Sequence, residues 1–299
     1  MHFLFCFRCT FIPKHLGLKL DASRDALFVP RDVSFSFYSC ICCVDALLMN
    51  SPFHLGMGKL RSLSSEEILV QVYYASKVCR VLNSRNHFLP KVDNIVYMGM
   101  GEPADNAEAV VRAVETMVDR RLFSLAQSKV TISTVAPDPS AFHNLGRAPA
   151  FLAWSVHAVD DQLRRRLVPT TKNTMEELRC ALVNALQSRA IKLRRTMLEV
   201  ALIEGVNDSD EDAKRLAEFS KTIMNDVERS KVVVNLIPYN AIDHPAYRTP
   251  SMERVLSFQK IIVDGGVLCY VRTTRGDNES AACGQLATKK KRPKTELLE

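Results

Sequence analysis

Glycine and carboxylate residues lie where the first regular apolar run of this chain ends. The run 95–98 is followed by Gly99-Met100-Gly101-Glu102-Pro103, in which the paired glycines permit a ligand to approach the backbone closely. The carboxylate of Glu102 can accept a hydrogen bond from a ligand amine. The third glycine of a dinucleotide-binding loop is missing, so the spacing by itself is equally compatible with an ordinary glycine turn.

Hydroxyl and imidazole side chains follow the next two runs. Ser133 closes the run 130–133, and Ser155, Val156 and His157 close the run around 151–156. They are candidates for binding a polar ligand. For such residues taken singly, helix capping by the serines and a satisfied polar role for the histidine are the commoner functions.

Two further chemical positions lie in the last quarter of the chain. Asn235 and Asn240 flank the end of the run 232–237, where an amide can pair with a ribose or base or can begin a turn. Cys283 lies among small residues, in Ala-Ala-Cys-Gly after the charged string 275–277. A lone cysteine in such surroundings is usually a buried filler, and only the particular string around it favours a reactive role.

The elements that must position these residues alternate regularly from Ser64 onward. Ser64 and Glu67 form a capping box that predicts the start of a helix. Runs rich in valine and isoleucine predict buried parallel strands at 95–98, 130–133, 151–156, 198–203, 232–237 and 267–271. Apolar faces at helical spacing predict helices around 110–118, 175–186, 213–223 and 255–262, the last ended by Gly265-Gly266. The alternation predicts an α/β fold with a parallel sheet or barrel, in which chemistry gathers at the carboxyl ends of the strands.

Composition narrows the class of protein. The 299 residues, 47% of them hydrophobic, are enough for one large domain without disulfides. Nine unevenly spaced cysteines do not form a secreted disulfide framework, which favours a reducing compartment. The most apolar stretch, 40–49, is too short to span a membrane and contains Asp45, so we predict no membrane association. The net charge of +7 suits a polyanionic partner without requiring one.

These strings together resemble the radical S-adenosylmethionine RNA adenine-C2 methyltransferases of the RlmN/Cfr type. Gly-Met-Gly-Glu-Pro, Ser-Val-His-Ala, Asn-Leu-Ile-Pro-Tyr-Asn and the string around Cys283 carry the resemblance, which runs from about Met57 to Leu286. It implies a radical-SAM partial (β/α) barrel with parallel strands. It also implies that S-adenosylmethionine is bound by a defined set of residues: Gly101, Glu102, Ser133, Ser155, Val156, His157 and Asn240.

The resemblance also implies a reaction. Cys283 would be methylated and would then carry the methyl group to C-2 of an adenine in ribosomal RNA, with transfer RNA as an additional candidate; the related methylation at C-8 shares every motif. A 4Fe-4S cluster and an electron donor such as a flavodoxin or ferredoxin are expected. Arg164, Arg165 and Arg166 fit the family pattern, although composition alone predicts a solvated basic turn suited to phosphates.

The cluster ligands expected of the family are not found in the sequence. A Cys-x3-Cys-x2-Cys triplet should precede Met57, and a gapless alignment puts Asp45, Met49 and Pro52 at its positions. The metal ligands are therefore unknown. We interpret residues 1–56 as an atypical, unassigned segment, 57–286 as the methyltransferase core and 287–299 as a basic tail.

Two explanations account for the missing triplet. Either 1–56 is not the true N-terminus, through a misjoined exon or start, or the chain is a non-catalytic RNA-binding relative. The intact cofactor motifs favour the first. A weaker alternative is a nucleotide-dependent α/β enzyme using Gly99 and Gly101. The compartment is predicted to be the cytoplasm or an organelle such as a plastid or mitochondrion.

Overall fold

The computed structural model describes residues 39–40, 61–84, 91–98, 101–239 and 247–272. Seven strands and seven α-helices lie in these ranges. The strands are β1 (Ser39–Cys40), β2 (Ile95–Tyr97), β3 (Val130–Thr134), β4 (Phe151–Ser155), β5 (Arg195–Leu202), β6 (Lys231–Pro238) and β7 (Leu268–Val271). The helices are α1 (Ser65–Asn83), α2 (Ala107–Val118), α3 (Ser140–Gly146), α4 (Asp161–Leu167), α5 (Met175–Gln187), α6 (Asp210–Asp226) and α7 (Met252–Asp264).

All strands are parallel and lie in sequence order. Hydrogen bonds join each strand to the next from β1 to β7. Within the described ranges no pairing joins β7 back to β1, so the sheet is an incomplete barrel. The predicted parallel α/β fold is confirmed. β1 lies in the segment for which the sequence predicted no fold, and its two residues pair with β2 at the edge of the sheet.

The convex face of the sheet packs against the helices and forms the main core. Trp154 of β4 is fully buried there, with its ring centroid 5.2 Å from that of Phe142 and 5.8 Å from that of Phe219. The alternation of β-strand side chains sends every second residue to this face. Burial of large aromatic side chains supplies much of the hydrophobic stabilisation, about 3–5 kcal/mol for a Trp-to-Ala change.

Capping explains where the helices begin and end. Ser64 and Glu67 form the predicted capping box of α1, and Thr174 with Glu177 and Ser209 with Asp212 form two more. The predicted end of α7 is also confirmed. Gly265 is its C-cap, and Gly266 follows with a φ of 84°, a conformation that favours glycine.

Three features differ from the sequence prediction. Helices α3 and α4 were not predicted, because seven residues are too few to establish a helical period. β5 begins at Arg195, three residues before the apolar run. The hydroxyl of the buried Thr196 donates to the carbonyl of Leu152 at 3.1 Å, which satisfies a polar group in that unpredicted part of the strand.

Candidate cofactor site at the carboxyl edge of the sheet

Glu102 is a buried carboxylate at the carboxyl edge, in the turn after β2. It is 3% exposed and accepts hydrogen bonds from the backbone nitrogens of Ala104 (2.9 Å) and Val135 (2.8 Å) and from the hydroxyl of Thr134 (2.6 Å). Gly101 precedes it with a φ of 72°, which a residue with a Cβ rarely adopts. Burial raises the pKa of Glu102 to about 7, against the effect of the three hydrogen bonds. The carboxyl therefore changes charge near neutral pH.

The buried side chain of Arg164, on α4, donates hydrogen bonds to three backbone carbonyls at the ends of β3 and β4. Its side chain is 1% exposed and donates to the carbonyl oxygens of Ser155 (2.7 Å), Val156 and Val135. The guanidinium carbon lies 5.6 Å from the ring centroid of Trp154. Burial lowers the pKa of Arg164 to about 9, while the nearby charge of Glu102 opposes that effect. The side chain thus stays protonated at neutral pH.

Arg164 corrects the expectation of a solvated basic turn at residues 164–166. The three arginines lie on a helix, and only Arg165 and Arg166 are exposed. The inward position of Arg164 follows from α4 packing against the ends of β3 and β4, where unpaired carbonyls require a donor.

His157 follows β4 in a left-handed conformation, with a φ of 58°. Its Nδ1 accepts from the backbone nitrogen of Ala201 at 3.1 Å. Because a backbone amide only donates, the proton of the neutral ring lies on Nε2. Burial, and secondarily the charge of Arg164, lowers the pKa of His157 to about 3. The imidazole is therefore a neutral hydrogen-bond donor throughout the physiological range.

Asn207 holds His157 in this strained position. Its amide nitrogen donates to the carbonyl oxygens of His157 (2.7 Å) and Ala201 (2.8 Å). Its amide oxygen accepts from the backbone nitrogen of Ile203 at 2.8 Å. The side chain is buried and all of these bonds are made to backbone, so Asn207 fixes the end of β4 against the end of β5.

A row of polar side chains crosses the inner face of the sheet beside this edge. Strand register places Ser155 opposite Glu199 and Glu199 opposite Asn235. The Ser133 hydroxyl donates to Glu199 at 2.8 Å and lies 3.4 Å from the Ser155 hydroxyl, and Asn235 donates to the other Glu199 oxygen at 3.4 Å. Burial raises the pKa of Glu199. The row offers hydroxyls and a carboxylate to a ligand lying on the inner face.

The structure brings together most of the residues that the sequence singled out. Gly101, Glu102, Ser133, Ser155 and His157 lie at or next to one edge of the sheet. Val156 takes part through its backbone, because its side chain is fully buried and its nitrogen donates to the Glu199 carbonyl at 2.9 Å.

Neither Ser133 nor Ser155 caps a helix, so the helix-capping interpretation is wrong for both. Ser133 is the next-to-last residue of β3, and Ser155 is the last residue of β4. Asn240 and Cys283 lie outside the described residues.

Sequence reasoning missed Glu199 and Asn207. Glu199 carried a signal, because it is the only acid in the apolar run 198–203. A charge in the middle of a buried strand indicates a partner or a function. Asn207 carried none, since Asn-Asp-Ser is an ordinary turn sequence and its contacts are all made to distant backbone.

The described residues do not fit an iron–sulfur cluster. Among them, no group of three His, Cys, Asp or Glu side chains could hold a metal ion. Cys79 is buried in α1, Cys180 is exposed on α5 and Cys269 is buried in β7. Burial raises the pKa of Cys269 to about 12 and also raises that of Cys79, which disfavours the thiolate form that binds iron.

S-adenosylmethionine, by contrast, fits the donor and acceptor set at this edge. A carboxylate has about four acceptor positions, and Glu102 uses three of them on protein donors. The remaining position can accept from an ammonium group. The inner-face hydroxyls of Ser133 and Ser155 and the Glu199 carboxylate can pair with ribose hydroxyls.

Fold and edge cluster together define the class of radical S-adenosylmethionine enzymes. A solved radical SAM methyltransferase from Sphaerobacter thermophilus superposes with a TM-score of 0.70 at 33% identity, over 82% of this chain and 69% of that one. No family model matches the chain.

Curated relatives identify the family. The dual-specificity RNA methyltransferase RlmN of Vesicomyosocius okutanii subsp. Calyptogena okutanii is 38% identical over 277 residues, 92% of this chain and 73% of the relative. That of Ruthia magnifica subsp. Calyptogena magnifica is 39% identical over 233 residues, 78% of this chain and 62% of the relative. The chain belongs to the RlmN family of radical SAM methyltransferases, and it spans about two thirds of the length of these relatives.

No helix in the described part of the chain is both long and apolar enough to cross a membrane.

Proposed function

We propose that this protein methylates C-2 of adenine in RNA, using S-adenosylmethionine held at the carboxyl edge of the sheet. The observation that carries the proposal is the cluster of Glu102, Ser133, Ser155 and His157 at that edge, in a chain 38% identical to RlmN proteins over most of its length. Parallel α/β folds place their chemistry at this edge.

Glu102 is proposed to bind the amino group of S-adenosylmethionine. The ammonium group would take the free acceptor position of the carboxylate, while Thr134, Ala104 and Val135 hold the carboxylate in place. Arg164 keeps the neighbouring strand ends at a fixed spacing. His157 contributes a neutral donor that does not repel the cationic ligand.

Ser133, Ser155 and Val156 are proposed to contact the nucleoside part of the ligand, with Asn240 contributing from the segment after β6. Bound S-adenosylmethionine would supply the methyl group, and its one-electron reduction by an iron–sulfur cluster would supply the radical that an electron-poor adenine carbon requires. Cys283 is proposed to carry the methyl group to the RNA.

The wider setting is proposed on the same basis. The proposed substrates are ribosomal RNA and transfer RNA; the relatives' name, dual-specificity RNA methyltransferase, specifies only RNA for those proteins. A flavodoxin or ferredoxin would supply electrons, and the compartment is the cytoplasm or an organelle. Residues 57–286 would form the core, to which β1 adds two residues from the otherwise unassigned segment 1–56, and 287–299 would form a basic tail.

The binding step is tested by the pH dependence of S-adenosylmethionine affinity. An ammonium ligand requires ionised Glu102, whose pKa is about 7 in the free protein. Affinity should therefore rise up to tenfold per pH unit below pH 7 and fall again above about pH 8, as the α-amino group of the ligand loses its proton. Calorimetric titration between pH 5.5 and 8.5 measures this, and Glu102→Gln should bind weakly at every pH. A pH-independent affinity would exclude the proposed role of Glu102.

The transfer step is tested with Cys283→Ala. Supplied anaerobically with iron, sulfide and a reduced flavodoxin, the natural chain should form 2-methyladenosine in ribosomal RNA, detected by mass spectrometry of the digested RNA, if residues outside the described ranges ligate the cluster. Cys283→Ala should lose the product and keep its affinity for S-adenosylmethionine. Product formed by that variant would overturn the mechanism. A chain that binds RNA and takes up no iron would instead support a non-catalytic RNA-binding relative.

A further inference from the structure

A second cleft lies at the opposite, amino edge of the sheet, between α3 and α5 and the loops that lead into β4 and β5. Its volume is about 590 Å³, within the range of small-molecule sites. Small residues make the room: a Cβ on Gly146 would lie 3.4 Å from the Cβ of Ala185, and Ala181 and Ala190 line the same walls. The proposed methyl-transfer chemistry makes no use of this edge.

Two arginines and a histidine line the cleft. His143 and Arg147 come from α3, and Arg189 comes from the loop after α5. Asn184 and Ser188 add polar groups, and no aspartate or glutamate of the described residues lines the cleft. His143 and Arg147 are exposed, and Arg147 donates through Nε to the carbonyl of Asn144 at 3.2 Å and pairs with the exposed Glu108 of α2. The lining therefore favours an anion.

Arg189 is the unusual member of this set, because it is a buried charge with no carboxylate partner. It is 7% exposed, and its Nη2 donates to the carbonyls of Ala148 (2.8 Å) and Ala150. Its Nη1 is buried without a hydrogen-bond partner in the described part of the chain. Burial is the cause that lowers its pKa to about 10, and no acidic side chain counteracts it. The guanidinium remains protonated at neutral pH.

Backbone carbonyls compensate Arg189 only in part. The C-terminal ends of α3 and α5 point toward this edge and carry partial negative charge. A carbonyl dipole does not replace an anion, because an unpaired buried charge costs several kcal/mol of desolvation, as an order of magnitude. An anion in the cleft would supply the missing compensation through its field, with direct contacts from the exposed His143 and Arg147.

We propose that this cleft binds a phosphate group, carried either by a free phosphate compound or by the backbone of RNA. Arginine forks match phosphate oxygens in geometry, and a phosphate offers enough acceptors for donors on both walls. Exposed Lys192 and Arg195 extend the basic surface beyond the cleft, which suits a doubly charged or polymeric ligand.

The test is a titration of the full chain with inorganic phosphate in a phosphate-free buffer, followed by calorimetry or by ³¹P line broadening. Saturable binding is expected. The double variant His143→Gln/Arg147→Gln should weaken it about tenfold or more, since it removes two exposed direct contacts. Lys260→Gln, which removes one exposed charge from the remote α7, should bind as the natural chain does.

Arg189→Met should also weaken phosphate binding, but Arg189 supports two carbonyls, so this variant is expected to lose stability as well as charge. The exposed double variant keeps the proposal falsifiable, with circular dichroism as the check of fold. Absence of saturation in the natural chain, or an equal loss in the Lys260→Gln control, would overturn the phosphate site.

The source of the phosphate is separated by a second titration, with an RNA oligonucleotide of 20 nucleotides. If RNA supplies the phosphate, the double variant should lose RNA affinity, and the slope of log affinity against log salt should shrink by about one to two. If a free compound supplies it, RNA affinity should stay while phosphate binding is lost. Both titrations omit S-adenosylmethionine, so their outcome does not depend on methyl transfer.

Discussion

Two buried arginines lie at opposite edges of one sheet and are held in different ways. Arg164, at the carboxyl edge, donates to three carbonyls and lies near the carboxylate of Glu102, whose charge raises its pKa against the effect of burial. Arg189, at the amino edge, donates to two carbonyls and has no acid to stabilise its charge. An acid lies near the buried arginine at the first edge, and the described residues place none near the arginine at the second. Each arginine keeps one buried nitrogen without a hydrogen-bond partner in the described part of the chain, Nε in Arg164 and Nη1 in Arg189.

This difference separates two ways of building a site. At the carboxyl edge, Glu102, Arg164, His157 and Asn207 are all hydrogen-bonded to protein groups, so the strand ends are held in position before a ligand arrives. At the amino edge, the ligand itself would complete the charge balance. We therefore expect substitutions at the first edge to cost fold and binding together, and those at the second to cost mainly binding.

Arg164→Met should have the largest effect on stability. Three buried carbonyls would lose their donor and Glu102 would lose its nearby cation. Removing one partner from such a buried arrangement lowers the free energy of unfolding by about 3–5 kcal/mol. Urea denaturation at pH 7 measures it. Arg165→Met, one residue away on the exposed face of α4, should stay within about 0.5 kcal/mol of the natural chain. Similar losses in the two variants would contradict the comparison.

Glu102 should make stability depend on pH when no ligand is bound. Its pKa rises from an ordinary 4.5 to about 7 on folding. The folded state then binds the proton more tightly, so the contribution to stability is fully present below pH 4.5 and is lost as pH rises through 7. A shift of this size corresponds to about 3 kcal/mol.

Glu102→Gln should remove that part of the pH dependence, measured by urea denaturation from pH 4.5 to 8. Glu108→Gln, an exposed control on α2, should retain it, because it leaves Glu102 in place. An unchanged pH profile in Glu102→Gln would show that another group titrates.

Arg189→Met should cost less than Arg164→Met. It removes two hydrogen bonds to buried carbonyls and leaves no carboxylate without its partner. The free energy of unfolding is therefore expected to fall by about 1–3 kcal/mol. Affinity for S-adenosylmethionine should be unchanged, since the residue lies at the other edge. A loss of stability as large as that of Arg164→Met would mean that Arg189 contributes as much to the stability of the fold as Arg164 does.

Periodicity predicted most of this fold and little of its charge arrangement. The apolar runs and the capping box at Ser64 identified the strands from β2 to β7 and helices α1, α2, α5, α6 and α7. Seven-residue helices such as α4 carry too few turns for a periodic signal. Arg164 looked solvated because two neighbouring arginines are solvated, and only its tertiary contacts to the ends of β3 and β4 determine its burial.

The candidate site was predictable where a motif lies at a strand end and not where the partners come from elsewhere in the chain. Glu102 and His157 were singled out in this way, whereas Val135 and Asn207, which help to hold them in place, are common residues in unremarkable strings. Strand register determines which of these residues come into contact, and register cannot be read from a single sequence.

Ser155→Ala should have the smallest effect on stability and separates binding from fold. The side chain is half-buried, its hydroxyl lies 3.4 Å from that of Ser133, a weak contact, and it makes a minor hydrogen-bonding contribution to the Glu199 carboxylate. Stability should change by about 0.5 kcal/mol or less. If the hydroxyl binds S-adenosylmethionine, affinity should fall about tenfold, as for the loss of one hydrogen bond to a ligand. Ser140→Ala, an exposed serine at the start of α3, should change neither quantity. Unchanged ligand affinity in Ser155→Ala would limit the proposed polar contacts at this edge to Glu102, Ser133 and His157. The comparison of the two edges of the sheet would then depend only on the charged groups around Arg164 and Arg189.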